Sequence, residues 1–194
     1  MKKKITVLTG AGVSAESGIT TFRDSDGLWE NHKVEDVASI EGWYRDPQTV
    51  LDFYNARRAQ LKDVRPNQAH LAIASLEDEY DVTVITQNVD NLHERAGSTR
   101  VTHLHGELTK LRSTANPDLI YPIEGWEQKL DARAEDGSYL RPHIVFFGEA
   151  VPMFDKARDL VKEADLLIIV GTSLAVYPAA SLVGWVKNND VPIY

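Results

Sequence analysis

The residues best suited to chemistry in this 194-residue chain lie in three short runs and one helical pair. Gly10-Ala11-Gly12-Val13-Ser14 follows the apolar run Ile5-Thr6-Val7-Leu8. Glycines placed behind a buried strand let backbone N–H groups approach an anion, which suits a nucleotide's phosphates. The same residues also make an ordinary tight strand-to-helix turn. Gln87-Asn88-Val89-Asp90 follows Val82–Ile85. Two carboxamides and a carboxylate at a strand's end can hydrogen-bond a ribose and an amide, or cap a helix over Asn91–Ala96, and the two roles are compatible. His103-Leu104-His105-Gly106 holds two histidines at strand spacing, on one side if the chain is extended. A metal site is one reading, although zinc usually takes three or four protein ligands. A general base is the better one, because imidazole titrates near neutral pH. Finally, Tyr54 and Arg57 stand three apart in Pro47–Leu61 and so share a helical face. Together they could donate to a carboxylate, or they are a packed tyrosine beside a solvated arginine.

These runs need a scaffold, and the apolar pattern supplies one. Ile5–Leu8, Val82–Ile85, Ile144–Phe147 and Leu166–Val170 read as buried parallel strands, with helices over Pro47–Leu61, Ala69–Glu79 and Phe154–Ala164 between them. The alternation predicts an α/β fold, a doubly wound Rossmann-like parallel sheet with ligands beyond the carboxyl ends of its strands. A hydride-transfer enzyme would place a second strand ending in an acidic residue about 20 residues after its glycines. Thr20 to Trp29 is instead a polar loop, which argues against that chemistry. Asp24–Asp46 reads as a helical flap, and Arg112–Arg141, rich in Asp, Glu, Pro and Gly, as a small inserted module. The expected division of this single catalytic domain is a core over about 1–23, 81–111 and 142–194, a flap over 24–80 and a module over 112–141.

Composition narrows the class. At 43% hydrophobic and 26% charged, the chain suits one soluble domain, and no apolar run is long enough for a membrane span. A net charge of −8 argues against nucleic acid as the main partner. Cysteine is absent, which removes disulfides and thiolate zinc sites. A cytoplasmic monomer is the expectation.

GAGVSAESGITTFR (Gly10–Arg23), TQNVDNLHERAG (Thr86–Gly97), HLHGEL (His103–Leu108) and GTS (Gly171–Ser173), in this order, resemble the sirtuin family of NAD-dependent lysine deacylases. The likeness extends from Thr9 to Pro178. It implies NAD as cofactor. Gly10, Ala11, Gly12 and Ser14 would line its phosphates, and Phe22 and Arg23 would sit in a loop over the nicotinamide ribose. Gln87, Asn88, Val89 and Asp90 would hold that ribose and the carboxamide, Asp90 gripping the latter. Ala15, Ile19, Thr21, Trp29, Gly171, Thr172 and Ser173 complete the implied cofactor set. His105, directly before the glycine, matches the catalytic base, which leaves His103 a structural role. The implied reaction converts an acyl-lysine protein or peptide and NAD into nicotinamide, free lysine and O-acyl-ADP-ribose.

Val145, Phe147 and Gly148 match the part that lines the acyl-lysine tunnel and pairs with an extended peptide. Tyr54-x-x-Arg57 marks the subfamily that removes acidic acyl groups such as succinyl and malonyl. Most sirtuins hold the small module with four cysteines around zinc. Here no metal is expected, and an apolar cluster of Leu119, Ile120, Tyr121, Ile123, Trp126 and Leu130 is expected to hold it instead. Val191–Tyr194 looks like the start of another strand, while the family's following loop and final helix lie beyond this sequence; either the chain is truncated or the adenosine end is closed differently. Alternative readings are an ADP-ribosyltransferase or NAD glycohydrolase using the same site, and a non-catalytic NAD or ADP-ribose sensor.

Overall fold

The computed structural model describes residues 2–20, 28–188 and 190–194. The strands are β1 (Lys4–Thr9), β2 (Leu28–Trp29), β3 (His32–Lys33), β4 (Asp81–Thr86), β5 (Val101–His103), β6 (Gly106–Ser113), β7 (Ile120–Pro122), β8 (Leu140–Ile144) and β9 (Leu166–Val170). The α-helices are α1 (Val34–Val37), α2 (Ile40–Arg45), α3 (Pro47–Leu61), α4 (Gln68–Ser75), α5 (Leu92–Ala96) and α6 (Phe154–Lys162). They fall into two compact units, one of residues 1–21, 65–105 and 151–194, the other of residues 22–64 and 106–150.

The first unit carries a parallel sheet in the order β5-β4-β1-β9. Strand β1 alternates its side chains between two cores. Ile5 and Val7 pack with Ile73 of α4 and with Val82 and Val84, while Leu8 packs with Ala157 and Val161 of α6 and with Ile85 and Leu167. Helices cover both faces, the doubly wound arrangement expected. Because the chain moves outward through β4 and β5 and then returns to β9 on the other side of β1, the strand order, though not the strand direction, reverses between β1 and β9. Such a reversal opens a crevice at the strands' carboxyl ends. Residues 65–80, expected in the flap, belong to this unit, since Ala69, Ile73 and Leu76 cover the sheet. Ile193 bridges in parallel to Leu167, so the strand-like end of the chain does pair with β9.

The second unit holds the antiparallel sheet β7-β6-β8 and the β2–β3 hairpin with α1, α2 and α3. Helix α3 begins where expected because Asp46 accepts from the Thr49 N–H (3.1 Å) and Pro47 occupies the first turn. One strand assignment is corrected. Ile144–Phe147 is not a core parallel strand; β8 runs Leu140–Ile144, antiparallel to β6, and Val145–Phe147 leave it. The apolar run misled because the strand's register lies in the mixed Leu140-Arg141-Pro142-His143 before it. The flap likewise includes the β2–β3 hairpin as well as helices.

Candidate active site

In the first unit, the loops after β1 and β9 interlock at the sheet's reversal. The Gly12 N–H donates to the Gly171 carbonyl (2.8 Å), and the Gly10 N–H to that of Val170 (3.1 Å). A Cβ on Gly12 would lie 2.9 Å from Gly171 Cα, and one on Gly10 2.7 Å from Thr172 Cβ, so only glycine permits this approach. Gly171 itself is left-handed, with φ 62°. Beyond the loop, Ala11–Ser17 forms a 3-10 helix on which Ala11 and Ala15 are exposed and Ser14 buried, and Ile19, just past its end, is half-buried. Gln87 Nε2 donates to Thr172 Oγ1 (2.9 Å), tying the third loop to the same rim, where Ser173 is exposed and Val89 half-buried.

A buried polar network lies beneath. Ser14 Oγ accepts from Asn88 Nδ2 (3.1 Å) and donates to Asp90 Oδ2 (3.1 Å), and His70 Nε2 stands 3.4 Å from the same hydroxyl. His70 Nδ1 accepts from the Asn67 N–H in the capping box of α4, so the proton of the neutral ring lies on Nε2 and points at Ser14. Asp90 Oδ1 accepts from the Leu92 N–H (3.0 Å), the Asx cap allowed for in the sequence. Burial pushes the Asp90 carboxyl above the usual carboxylate range, against the pull of the Leu92 and Ser14 hydrogen bonds. His93 stacks edge-on to His70 at 4.8 Å and meets Thr9 Oγ1 at 3.0 Å. Burial, reinforced by His70, takes its imidazole down to about 4.

The two histidines of the HLHG run are anchored to consecutive carbonyls. His103 ends β5, facing the Asn88 carbonyl through Nδ1 (2.9 Å) and Glu94 through Nε2 (2.7 Å). His105 lies in the turn after it, with Nδ1 3.1 Å from the Gln87 carbonyl. They do not share one extended strand, which corrects the spacing argument. A carbonyl can only accept, so Nδ1 of His105 carries the proton and Nε2 keeps its lone pair. Burial lowers the His105 pKa, opposed by the Gln87 hydrogen bond, so the ring is neutral at pH 7. His103 thus has Glu94 at its Nε2, while His105 keeps a lone pair on Nε2.

In the second unit, Phe147 is 49% exposed, and its backbone bonds Ala38 and Ile40 (2.8 and 3.0 Å). Val145 is half-buried and Gly148 exposed, with φ 90° and no room for a side chain beside Ile40. Glu149 fixes this loop: it accepts from Arg141 (2.7 and 2.9 Å), Arg112 (3.0 and 3.1 Å) and the Phe146 N–H (2.8 Å). Tyr54 is 1% exposed and packs against Phe53 and Phe146. Burial raises its phenol pKa. Arg57 stands over Phe53 and pairs with Glu30 at 3.2 Å, while Trp29 meets the Phe53 ring edge-on. Thr21, Phe22 and Arg23 lie outside the described residues.

The inserted module departs from the expected apolar staple. Ile120, Trp126 and Leu130 are exposed, and the cluster is Leu111, Ala134 and Leu140 with Tyr121, Ile123 and Ala132. Hydrogen bonds complete it. Ser113 Oγ accepts from the N–H groups of Ala115 and Asn116 and donates to Asp136, and Asn55 of α3 bonds Gln128 twice. Among the described residues, no three His, Asp or Glu side chains gather as a metal site, and no helix is long and apolar enough to cross a membrane.

The family model described as "Sir2 family" matches residues 10–178, almost the whole span that carries the site. The chain belongs to the Sir2 family. A Helicobacter pylori Sir2 relative named NAD-dependent protein deacylase is 61% identical over 182 residues, covering 93% of this chain and 78% of its own. A solved Sir2 homolog in complex with NAD is 44% identical with a TM-score of 0.88, covering 99% of this chain and 77% of that one. Sir2Tm bound to a propionylated peptide is 33% identical with a TM-score of 0.80, covering 99% and 80%. Sequence reasoning missed His70, His93, Glu30 and the Arg112–Glu149–Arg141 clamp. Only His70 left a signal, as the third residue after the Asn67 cap.

Proposed function

We propose that this chain is an NAD-dependent protein-lysine deacylase with His105 as its general base. The observation that carries this is the Nδ1-to-Gln87 contact, which holds a neutral imidazole with Nε2 free to accept a proton. NAD supplies the electrophilic ribose carbon and a good leaving group. The residues present suit it: Gly10, Gly12 and Gly171 bring the loops after β1 and β9 together at the carboxyl ends of the strands, and buried Asn88 and Asp90 are held by Ser14. In this reading Ala11, Ala15, Ile19, Gln87, Val89, Thr172, Ser173 and Trp29, with Thr21, Phe22 and Arg23, complete the cofactor set. His105 takes a ribose hydroxyl proton. Val145, Phe147 and Gly148 receive the acyl-lysine peptide, Phe147 through its exposed ring, since its backbone already bonds Ala38 and Ile40. Incubation with NAD and acyl-lysine peptide should yield O-acyl-ADP-ribose by mass spectrometry. Nicotinamide release without that product would favour a glycohydrolase or ADP-ribosyltransferase, and no turnover a sensor.

The finer proposal is that acidic acyl groups, succinyl or malonyl, are preferred. Arg57 supports it, since it is a half-buried cation whose Nε and Nη1 donate no hydrogen bond among the described residues. A plain deacetylase is the second reading, favoured by the burial of Tyr54 among Phe53 and Phe146. The chain is further proposed to need no zinc, the inserted module being held by its apolar cluster and by Ser113.

A further inference from the structure

Glu30 and Asn31 form the two-residue turn between β2 and β3, and both are left-handed, with φ 51° and 67°. A hairpin turn of this kind demands positive φ at both positions, which asparagine and glycine accept readily. Glutamate does not, and its presence there needs a reason. The turn aims the Glu30 carboxylate at Arg57, with Oε1 3.2 Å from Nη1. Both side chains are largely withdrawn from water, at 25% and 17% exposure. Yet the pair is poorly aligned, since neither Nε nor Nη1 of Arg57 donates a hydrogen bond among the described residues. A guanidinium's planar fork normally takes a carboxylate through two parallel bonds. The Arg57 fork therefore holds a charge partner while its bidentate capacity stays unused.

We propose that Glu30 is a specificity-determining residue: an internal carboxylate that occupies Arg57 until an acidic acyl group displaces it. The chemistry of the two carboxylates matches. A glutamate side chain is CH2–CH2–COO⁻, the same fragment that ends a succinyl group. Glu30 neutralises a partly buried cation that has no other ion-pair partner among the described residues. It also sets the threshold for the acyl group, because only a ligand carboxylate that engages the fork better can replace it. A neutral acyl group has nothing to exchange for Glu30. This inference rests on the acidic-acyl reading of Arg57, and the test separates the two.

The measurement is the ratio of kcat/KM for a succinyl-lysine peptide to that for the matched acetyl-lysine peptide, with NAD saturating. Glu30→Gln should raise the ratio about fivefold or more, mainly through a lower succinyl KM, because removing a competing carboxylate frees a charge-assisted donor. Arg57→Met should lower it about tenfold or more, and the double variant should match Arg57→Met alone. If the hairpin does not tolerate Gln, Glu30→Gly suits the left-handed backbone, removes the same carboxylate and should raise the ratio equally. A ratio unchanged or lowered in the Glu30 variants, with Arg57→Met still lowering it, overturns the role of Glu30 and leaves the acidic-acyl reading standing. A ratio that Arg57→Met does not move overturns both.

Discussion

His105 donates from Nδ1 to the backbone carbonyl of Gln87 at 3.1 Å, so one residue beyond β4 sets the tautomer of the imidazole. Asn88, the next residue, fixes His103 through its own carbonyl. The strand end therefore does two jobs: its carbonyls orient the histidines, and the Asn88 side chain joins Ser14 and Asp90. That orientation supports the proposed role of His105 as base, since an imidazole held through one nitrogen can accept a proton at the other without reorganisation.

His105→Ala should therefore lower deacylation by about a hundredfold or more, the usual worth of a positioned base. NAD binding should change little, because the glycine loops and the Ser14 network stay intact. Calorimetry and a peptide assay check the two halves. Burial lowers the His105 pKa, so the acid limb of the kcat/KM profile should fall below the ordinary imidazole value of about 6.5. Activity kept within tenfold in the variant would falsify the assignment.

The sequence made the central strands legible because parallel strands buried on both faces are continuous apolar runs, as in Ile5–Leu8 and Leu166–Val170. It hid β5, whose Val101-Thr102-His103 is too short and too polar to stand out. Among site residues, those in local motifs were readable, such as Asp90 capping Leu92. Residues defined by distant partners were not. Glu30 meets Arg57 through a hairpin turn, and Arg112 meets Arg141 through a shared Glu149, and neither relationship leaves a periodic trace.

Acid should destabilise the protein through His93. The unfolded chain binds that proton at about 6.5, the folded protein only at about 4. Between those values the unfolded state holds more protons, so the contribution is full above about pH 6.5 and is lost as pH falls toward 4. The loss amounts to about 3 kcal/mol for a shift of this size. His70 and His143, also lowered by burial, act with the same sign. Melting temperatures from about pH 7.5 down to about 4.5 should fall, and His93→Gln should flatten the slope. Equal slopes in both proteins would remove His93 as the proton-linked group.

Gly12→Ala tests the interlocked loops. The added Cβ would sit 2.9 Å from Gly171 Cα and 2.9 Å from its carbonyl oxygen. Both are backbone atoms that cannot rotate away, so the loops after β1 and β9 must separate. NAD affinity should drop about tenfold or more, with a smaller loss of melting temperature, because the change strikes where only backbone fits. Unchanged affinity by calorimetry would mean that the cofactor does not depend on this approach.

Metal removal tests the inserted module. The chain has no cysteine, and Ser113 occupies the centre of the turn with four contacts: Ala115 and Asn116 N–H, Asp136 and Ser138. Its side chain is nearly fully buried, so Ser113→Ala would strand two backbone donors rather than return them to water. The expected cost is about 1–3 kcal/mol, read as a lower melting temperature or as faster hydrogen exchange confined to residues 113–140. Chelator should leave the wild-type melting temperature unchanged, and metal analysis should find no stoichiometric zinc. A tightly held zinc, or a chelator-induced drop comparable to that of Ser113→Ala, would show that the module depends on a metal after all. If neither chelator nor Ser113→Ala moves the module, its stability must come from the apolar contacts of Leu111, Ala134 and Leu140, and Leu111→Ala should then be the damaging change.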